Sequence, residues 1–345
     1  MKHIPSLNGL RAISIFIVLF AHLKDTFGFP GILIKLISWT CYGNLGVEVF
    51  FVISGFLIST ILLSEVKRND NINFKRFYFR RFLRIFPVFF LYVIFILFLN
   101  NIYNLTILDF IKPLFYFSNF AVFGGHWFLG HTWSLSVEEQ FYLIWPFTIY
   151  KFKKYIPQIT LTVFFLAIIL RLIGLFNQEY SDFILNPLIG SLDGILIGSY
   201  ISLLIIGGKI PKFYGYYKSF KYPVLYTTIS LLLLYSLQHL GNIGYTLFIL
   251  FKGFGSILIA FFLIYCIQEK ESLIYRFLNL KFISYIGILS YSIYIWQQFF
   301  LLKIGATKQI FFFQKYPLNI LFVFIIAILS YELFEKPILK LKNNN

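Results

Sequence analysis

Long apolar runs broken only by short charge clusters leave this chain little choice of fold. About ten runs are of a length, roughly 17 to 25 residues, that crosses a bilayer as a helix. They fall near 9–24, 42–64, 82–101, 134–150, 157–176, 184–206, 222–238, 244–267, 282–303 and 317–334. Lipid offers the backbone no hydrogen-bond partners, so each run is expected to close its own bonds as an α-helix. The expected class is an all-α, polytopic membrane protein with about ten transmembrane helices. With 59% hydrophobic and 13% charged residues, the composition excludes a soluble globule.

The net charge of +16 does not indicate nucleic acid, because the lysines and arginines sit in short clusters between apolar runs. Residues 67–84, 151–154, 209–221, 270–281 and 336–342 hold most of them, and the alternate connections hold few. That asymmetry places both termini in the cytoplasm. The first run carries polar residues and no cleavage pattern, so it reads as a retained helix. Cys41 and Cys266 lie on separate segments; neither a disulfide nor a metal site is expected. Residues 105–132, aromatic and glycine-rich, read as a re-entrant or interfacial piece. No repeat or linker divides the chain, which is read as one membrane domain over 1–345.

Polar residues inside apolar helices are the functional candidates, since lipid solvates none of them. Arg11 and His22 are eleven positions apart on the first helix, hence on one face and roughly 16 Å apart along its axis. Glu48, in Gly46-Val47-Glu48-Val49-Phe50-Phe51, falls at a depth that matches His22. A carboxylate beside an imidazole would make a general base; the competing reading is a polar pair that only fastens two helices. Arg80, Arg81 and Arg84 would form a cationic patch suited to phosphate oxygens, or a topology signal touching anionic lipid.

Trp133-Ser134-Leu135-Ser136-Val137-Glu138-Glu139 opens the fourth run. Adjacent residues point about 100° apart, so at most one of Glu138 and Glu139 should face a site. His126 and His131 read as interfacial, with a role in holding an acceptor as the other option. Arg171 and Asp193 are expected to pair structurally. Gly46 and Gly55 read as packing residues. Tyr291 stands in a Ser- and Tyr-rich ninth run, and Glu335 and Lys336 read as a surface pair.

In this order the motifs resemble the acyltransferase-3 family of bacterial membrane O-acyltransferases. The resemblance rests on Arg11 to His22, Gly46 to Ile58, Arg80 to Pro87, Trp133 to Tyr142, Gly287 to Trp296 and Phe334 to Pro337. It implies a multi-pass protein of the bacterial cytoplasmic (inner) membrane. The implied reaction moves an acyl group, acetyl above all, from cytoplasmic acyl-CoA to a hydroxyl of a cell-surface glycan such as lipopolysaccharide O-antigen or exopolysaccharide. Acetyl-CoA would be a substrate; no permanently bound cofactor is implied.

On that basis His22 and Glu48 are the expected catalytic pair. Arg11, Arg80, Arg81, Arg84, Trp133, Glu138, Glu139, Tyr291 and Glu335 are expected to contact substrate. Ser54, Tyr291 and Trp133 are candidates for steadying an oxyanion. Two departures stand out: Glu48 where the family often has aspartate, and Gln297 where it commonly has histidine, so no catalytic role transfers to that position. Some members carry an added extracytoplasmic hydrolase-like domain; with the sequence stopping at Asn345, direct delivery to a glycan or a partner protein is expected. The alternative function is a transporter or flippase of a lipid-linked saccharide or acyl group, and a third is a silent partner in glycan assembly.

Overall fold

The computed structural model describes residues 4–120, 125–176, 192–209 and 212–341. Among these it is helical throughout, with one isolated bridge between Thr26 and Lys303. The principal helices are α1 Ser6–Leu23, α2 Gly31–Thr40, α3 Gly43–Asn69, α4 Phe74–Phe98, α5 Ile107–Leu114 and α6 Thr132–Lys151. They continue with α7 Ile156–Phe176, α8 Asp193–Ile206, α9 Pro223–Ser236, α10 Gly241–Gln268, α11 Lys281–Phe300 and α12 Leu318–Leu329. A π-helical turn, Ser330–Glu335, prolongs α12.

Six helices among the described residues are long and apolar enough to cross a membrane: α1, α3, α4, α10, the stretch Lys153–Leu175 and the stretch Leu318–Lys340. The other four expected runs hold helices for two different reasons. α8 and α9 have 14 residues each, about 21 Å of rise against a hydrocarbon core of about 30 Å. Residues 184–191 of the expected sixth run lie outside the described residues. α6 and α11 have 20 residues each, but spend much of their length on polar side chains that face inward. Residues 105–120 and 125–131 form only short helices.

α1 is the hub, packed between α3 and α11. Its helix approach is set by glycines. A Cβ on Gly287 would fall 1.8 Å from the Asn8 carbonyl oxygen, and one on Gly46 would fall 2.7 Å from that of Ser14. On the opposite side, α3 and α8 meet through Gly55 and Gly198, whose Cβ atoms would lie 1.9 Å from Ile195 O and 2.1 Å from Val52 O. Ser199 Oγ donates to the Gly55 carbonyl across that seam at 3.3 Å. Between helices in lipid, where apolar burial gives no drive, such close contact supplies the attraction. The packing role expected for Gly46 and Gly55 is therefore what the helices require. Outward faces are bare and apolar, with Phe98 82% and Leu333 74% exposed, as lipid contact demands.

Gly55→Ala should therefore force α3 and α8 apart and cost about 1–3 kcal/mol or more. A lowered unfolding temperature in detergent checks this, with Gly215→Ala, whose Cβ would meet nothing within 4 Å, as the unchanged control.

Candidate functional site

Three cavities lie end to end beside α1. The first, at the Arg11 end, is lined by Asn8, Arg11, Arg84, Tyr291, Tyr331 and Glu335 among others. The middle one, about 90 Å³, is lined by Arg11, Ser54, Arg81, Arg84, Glu138 and Tyr291 and extends to Val47 and Tyr294. The third contains His22 with Asn44, His126, Trp127, His131 and Trp133, and shares Val47 and Tyr294 with the middle cavity. Arg11, Arg84 and Tyr291 belong to both the first and the second. The first and third cavities, about 430 and 340 Å³, fall in the range of small-molecule sites, about 300–1,000 Å³, and the middle one is a narrow neck between them.

Helical periodicity explains which side chains reach this path. On α1 the lining positions are Leu7, Asn8, Arg11, Val18 and His22; the last three are spaced seven and four apart as one face requires. On α4 they are Arg81, Arg84 and Ile85. Arg80 sits one position back, about 100° round the helix, and lines none of the three cavities; the expected three-arginine patch is reduced to Arg81 and Arg84, joined by Arg11. On α6, Ser134, Leu135, Glu138 and Tyr142 face the path. Glu139 turns aside to Arg81, 3.8 Å away. That resolves the choice between the adjacent acids: Glu138 faces the cavity. Arg81 also lies over the Tyr142 ring at 3.5 Å, so its charge is held by both a carboxylate and an aromatic face.

The same geometry overturns the expected His22–Glu48 pair. Asn44, Val47, Phe51 and Ser54 make the cavity face of α3, and Glu48 follows Val47 by one position. It is therefore rotated away, buried at 3% exposure. Ser256 Oγ donates to it at 2.6 Å, and Lys252 Nζ lies 3.8 Å from its other oxygen. Depth separates the two as well as azimuth: Gly43 is the α3 residue beside Ala21, and Gly46 already meets Ser14 and Val18, so Glu48 lies further down α1 than His22. Lys252 was missed altogether, although a lone lysine within a 28-residue apolar helix is a signal of a buried partner. Arg171 and Asp193 do pair as expected, at 2.5 Å and fully buried.

At the far end, His22 Nδ1 lies 3.4 Å from Gln297 Oε1. Trp127 stands edge-on to the imidazole with centroids 5.9 Å apart. The Trp127 indole N–H donates to the Gln298 carbonyl at 3.0 Å, and Gln298 Nε2 donates to the Trp127 carbonyl at 2.9 Å. His131 lines the His22 cavity. It is buried at 5% exposure, against the rings of Tyr92 and Tyr294. Tyr294 O–H donates to the His131 carbonyl at 2.5 Å and so accepts from Ser134 Oγ at 2.7 Å, tying α11 to α6 where the middle and third cavities meet. Trp133 lines the His22 cavity and stands edge-on to Phe51 at 6.2 Å.

Tyr291 O–H donates to the Ile85 carbonyl at 2.8 Å, which holds the ring at the junction of the first two cavities. Glu335 does not form the expected surface pair. Lys336 bonds Glu332 at 2.5 Å, while Glu335 is buried and accepts from Ser292 Oγ. The π-helical turn that ends in Glu335 supplies the change of direction. No group of three or more metal-ligating side chains occurs among the described residues.

A family model described as "Acyltransferase domain" matches residues 4–331. The chain is 27% identical, over 98% of its length and 56% of the relative's, to the peptidoglycan O-acetyltransferase OatA of Listeria monocytogenes. It is 28% identical to the O-acetyltransferase OatA of Staphylococcus aureus strain NCTC 8325, over 98% of this chain and 58% of that one. The chain thus spans little more than half the length of these relatives. Neither name mentions the O-antigen or exopolysaccharide toward which the sequence motifs lean. No solved structure matches the chain.

Removing one member of the Arg171–Asp193 pair strands its partner in the bilayer. Asp193→Asn should cost about 3–5 kcal/mol, while Arg171→Met with Asp193→Leu should restore most of the loss. Thermal unfolding of the three proteins in detergent checks both statements.

Proposed function

The chain belongs to the acyltransferase-3 family, and from that premise we propose that it is a membrane O-acetyltransferase in which His22 is the general base. The observation that carries this reading is the run of three cavities that share lining residues from Arg11 and Arg84 to His22. Such a path lets a donor held by its phosphates at one end present its acyl group near an imidazole some 16 Å further along α1.

In this proposal about ten segments cross the bilayer, with the clusters of lysine and arginine and both termini on the cytoplasmic side. Acetyl-CoA enters from that side. Arg84 and Arg11 take its phosphate oxygens through charge-assisted hydrogen bonds, while Arg81, engaged by Glu139 and Tyr142, shapes the wall beside them. The acceptor approaches from the opposite side into the cavity lined by His22, Trp127, Trp133 and His131. Among the described residues that cavity is lined by no lysine, arginine or carboxylate, which suits an uncharged, hydroxyl-bearing sugar against aromatic rings. The name of the Listeria relative makes a peptidoglycan sugar the first acceptor to test.

The reaction then follows. His22 removes the proton from the acceptor hydroxyl as its oxygen attacks the thioester carbonyl carbon; the carbon–sulfur bond breaks, and the imidazolium returns the proton to the departing thiolate. Placing the base and the two reactants in one cavity converts a three-body encounter into an oriented one. A translocation path would use the same cavities without making an ester, so product chemistry separates the two readings.

Purified protein in proteoliposomes, given labelled acetyl-CoA and a peptidoglycan saccharide, should yield labelled ester. His22→Ala should lower the rate by about 10²–10⁴-fold at a normal protein level; undiminished transfer would remove His22 from the chemistry. In the same assay Arg84→Ala should raise the donor KM by roughly 10- to 100-fold, the worth of a charged hydrogen bond, and leave the acceptor KM unchanged.

A further inference from the structure

With Glu48 rotated away, the group that orients the His22 ring has to come from another helix. We infer that Gln297 is that positioning residue: its amide oxygen accepts a hydrogen bond from His22 Nδ1–H, fixing the tautomer that leaves the Nε2 lone pair free for the acceptor hydroxyl. This rests on the reading of His22 as the base and goes beyond it by naming what makes the imidazole competent.

Three observations converge on Gln297. Its oxygen is 3.4 Å from His22 Nδ1, within reach of a bond that tightens when substrate fills the site. The side chain is fully buried and lines none of the three cavities, so it acts from behind the ring and does not touch substrate. Its neighbour Gln298 is locked to Trp127 by reciprocal hydrogen bonds, and Trp127 stands edge-on to the same imidazole. Two successive residues of α11 therefore hold His22 from two directions, one through a polar contact and one through an aromatic wall.

The chemistry favours an amide here. A neutral imidazole carries one N–H and one lone pair, and the partner of one nitrogen decides which remains for the other. A carboxylate would serve, but it would bring a second charge into the bilayer, with a desolvation cost of several kcal/mol. An amide oxygen accepts the same hydrogen bond without a charge. The opposite amide orientation, N–H toward Nδ1, would put the proton on Nε2 and block the base, so the proposal commits to one of two distinguishable states.

The test pairs ¹⁵N-histidine NMR of the full chain in nanodiscs with steady-state kinetics; the His22 signals are assigned as those lost in His22→Ala. The wild type should show Nδ1 protonated and Nε2 bare. Gln297→Met, close in volume but without an acceptor, should scramble that pattern and lower kcat by about 10-fold or more, with the donor KM unchanged. Gln297→Glu, which keeps an acceptor oxygen, should restore the pattern. A bare Nδ1 in the wild type, or an unchanged pattern and kcat in Gln297→Met, would overturn the inference. Loss of folded Gln297→Met leaves the wild-type and Gln297→Glu spectra to decide. If the wild type forms no ester, the enzymatic reading fails, while the tautomer measurement still stands or falls by itself.

Discussion

A charge or polar group inside a lipid-facing helix must find a partner or a wet cavity, and every helix around α1 is arranged by that demand. α3, α4, α6 and α11 each turn one polar stripe toward a common axis and leave phenylalanine, leucine and isoleucine outside. The cost of leaving Arg11, Arg84, Glu138 or His22 in hydrocarbon fixes the rotation of each helix about its own axis. Glycine seams then fix how near the helices come: Gly287 against Asn8, Gly46 against Ser14, and Gly55 and Gly198 on the far side of α3.

Two polar systems result, divided by α3. On one face of that helix lies the path from Arg11 to His22. On the other lie Glu48 with Lys252 and Ser256, and Asp193 with Arg171. In each of those pairs an acid meets a base, which suits a lock between α3, α7, α8 and α10. The path is asymmetric: three arginines and two acids at one end, and imidazole, indole and amide groups at the other. That gradient would sort an anionic ligand and a neutral one to opposite ends. The Tyr294 hydroxyl, tied to His131 and Ser134, stands at the point where the two environments meet.

The sequence by itself determined the helical class, the positions of the apolar runs, the placement of Arg11 and His22 on one face, and the pairing of Arg171 with Asp193. These follow from length, period and the intolerance of lipid for isolated charge, all of which are local or nearly so. It misplaced the depth of Glu48 against His22, because the register of α3 on α1, Gly43 beside Ala21 and Gly46 beside Ser14 and Val18, is a contact between helices and not a count along one of them. Only the tertiary structure decided azimuth and partnership. Glu48 turned to Lys252, Arg80 left the cavity that Arg84 entered, Glu138 and Glu139 separated, Glu335 bonded Ser292, and His131 went inward. A one-residue step rotates a side chain by about 100°, and which direction is inward depends on neighbours hundreds of residues away. Gln297, 275 positions from His22, is the clearest case: nothing near either residue in the chain announces the contact, and only the packing of α11 against α1 brings amide and imidazole together.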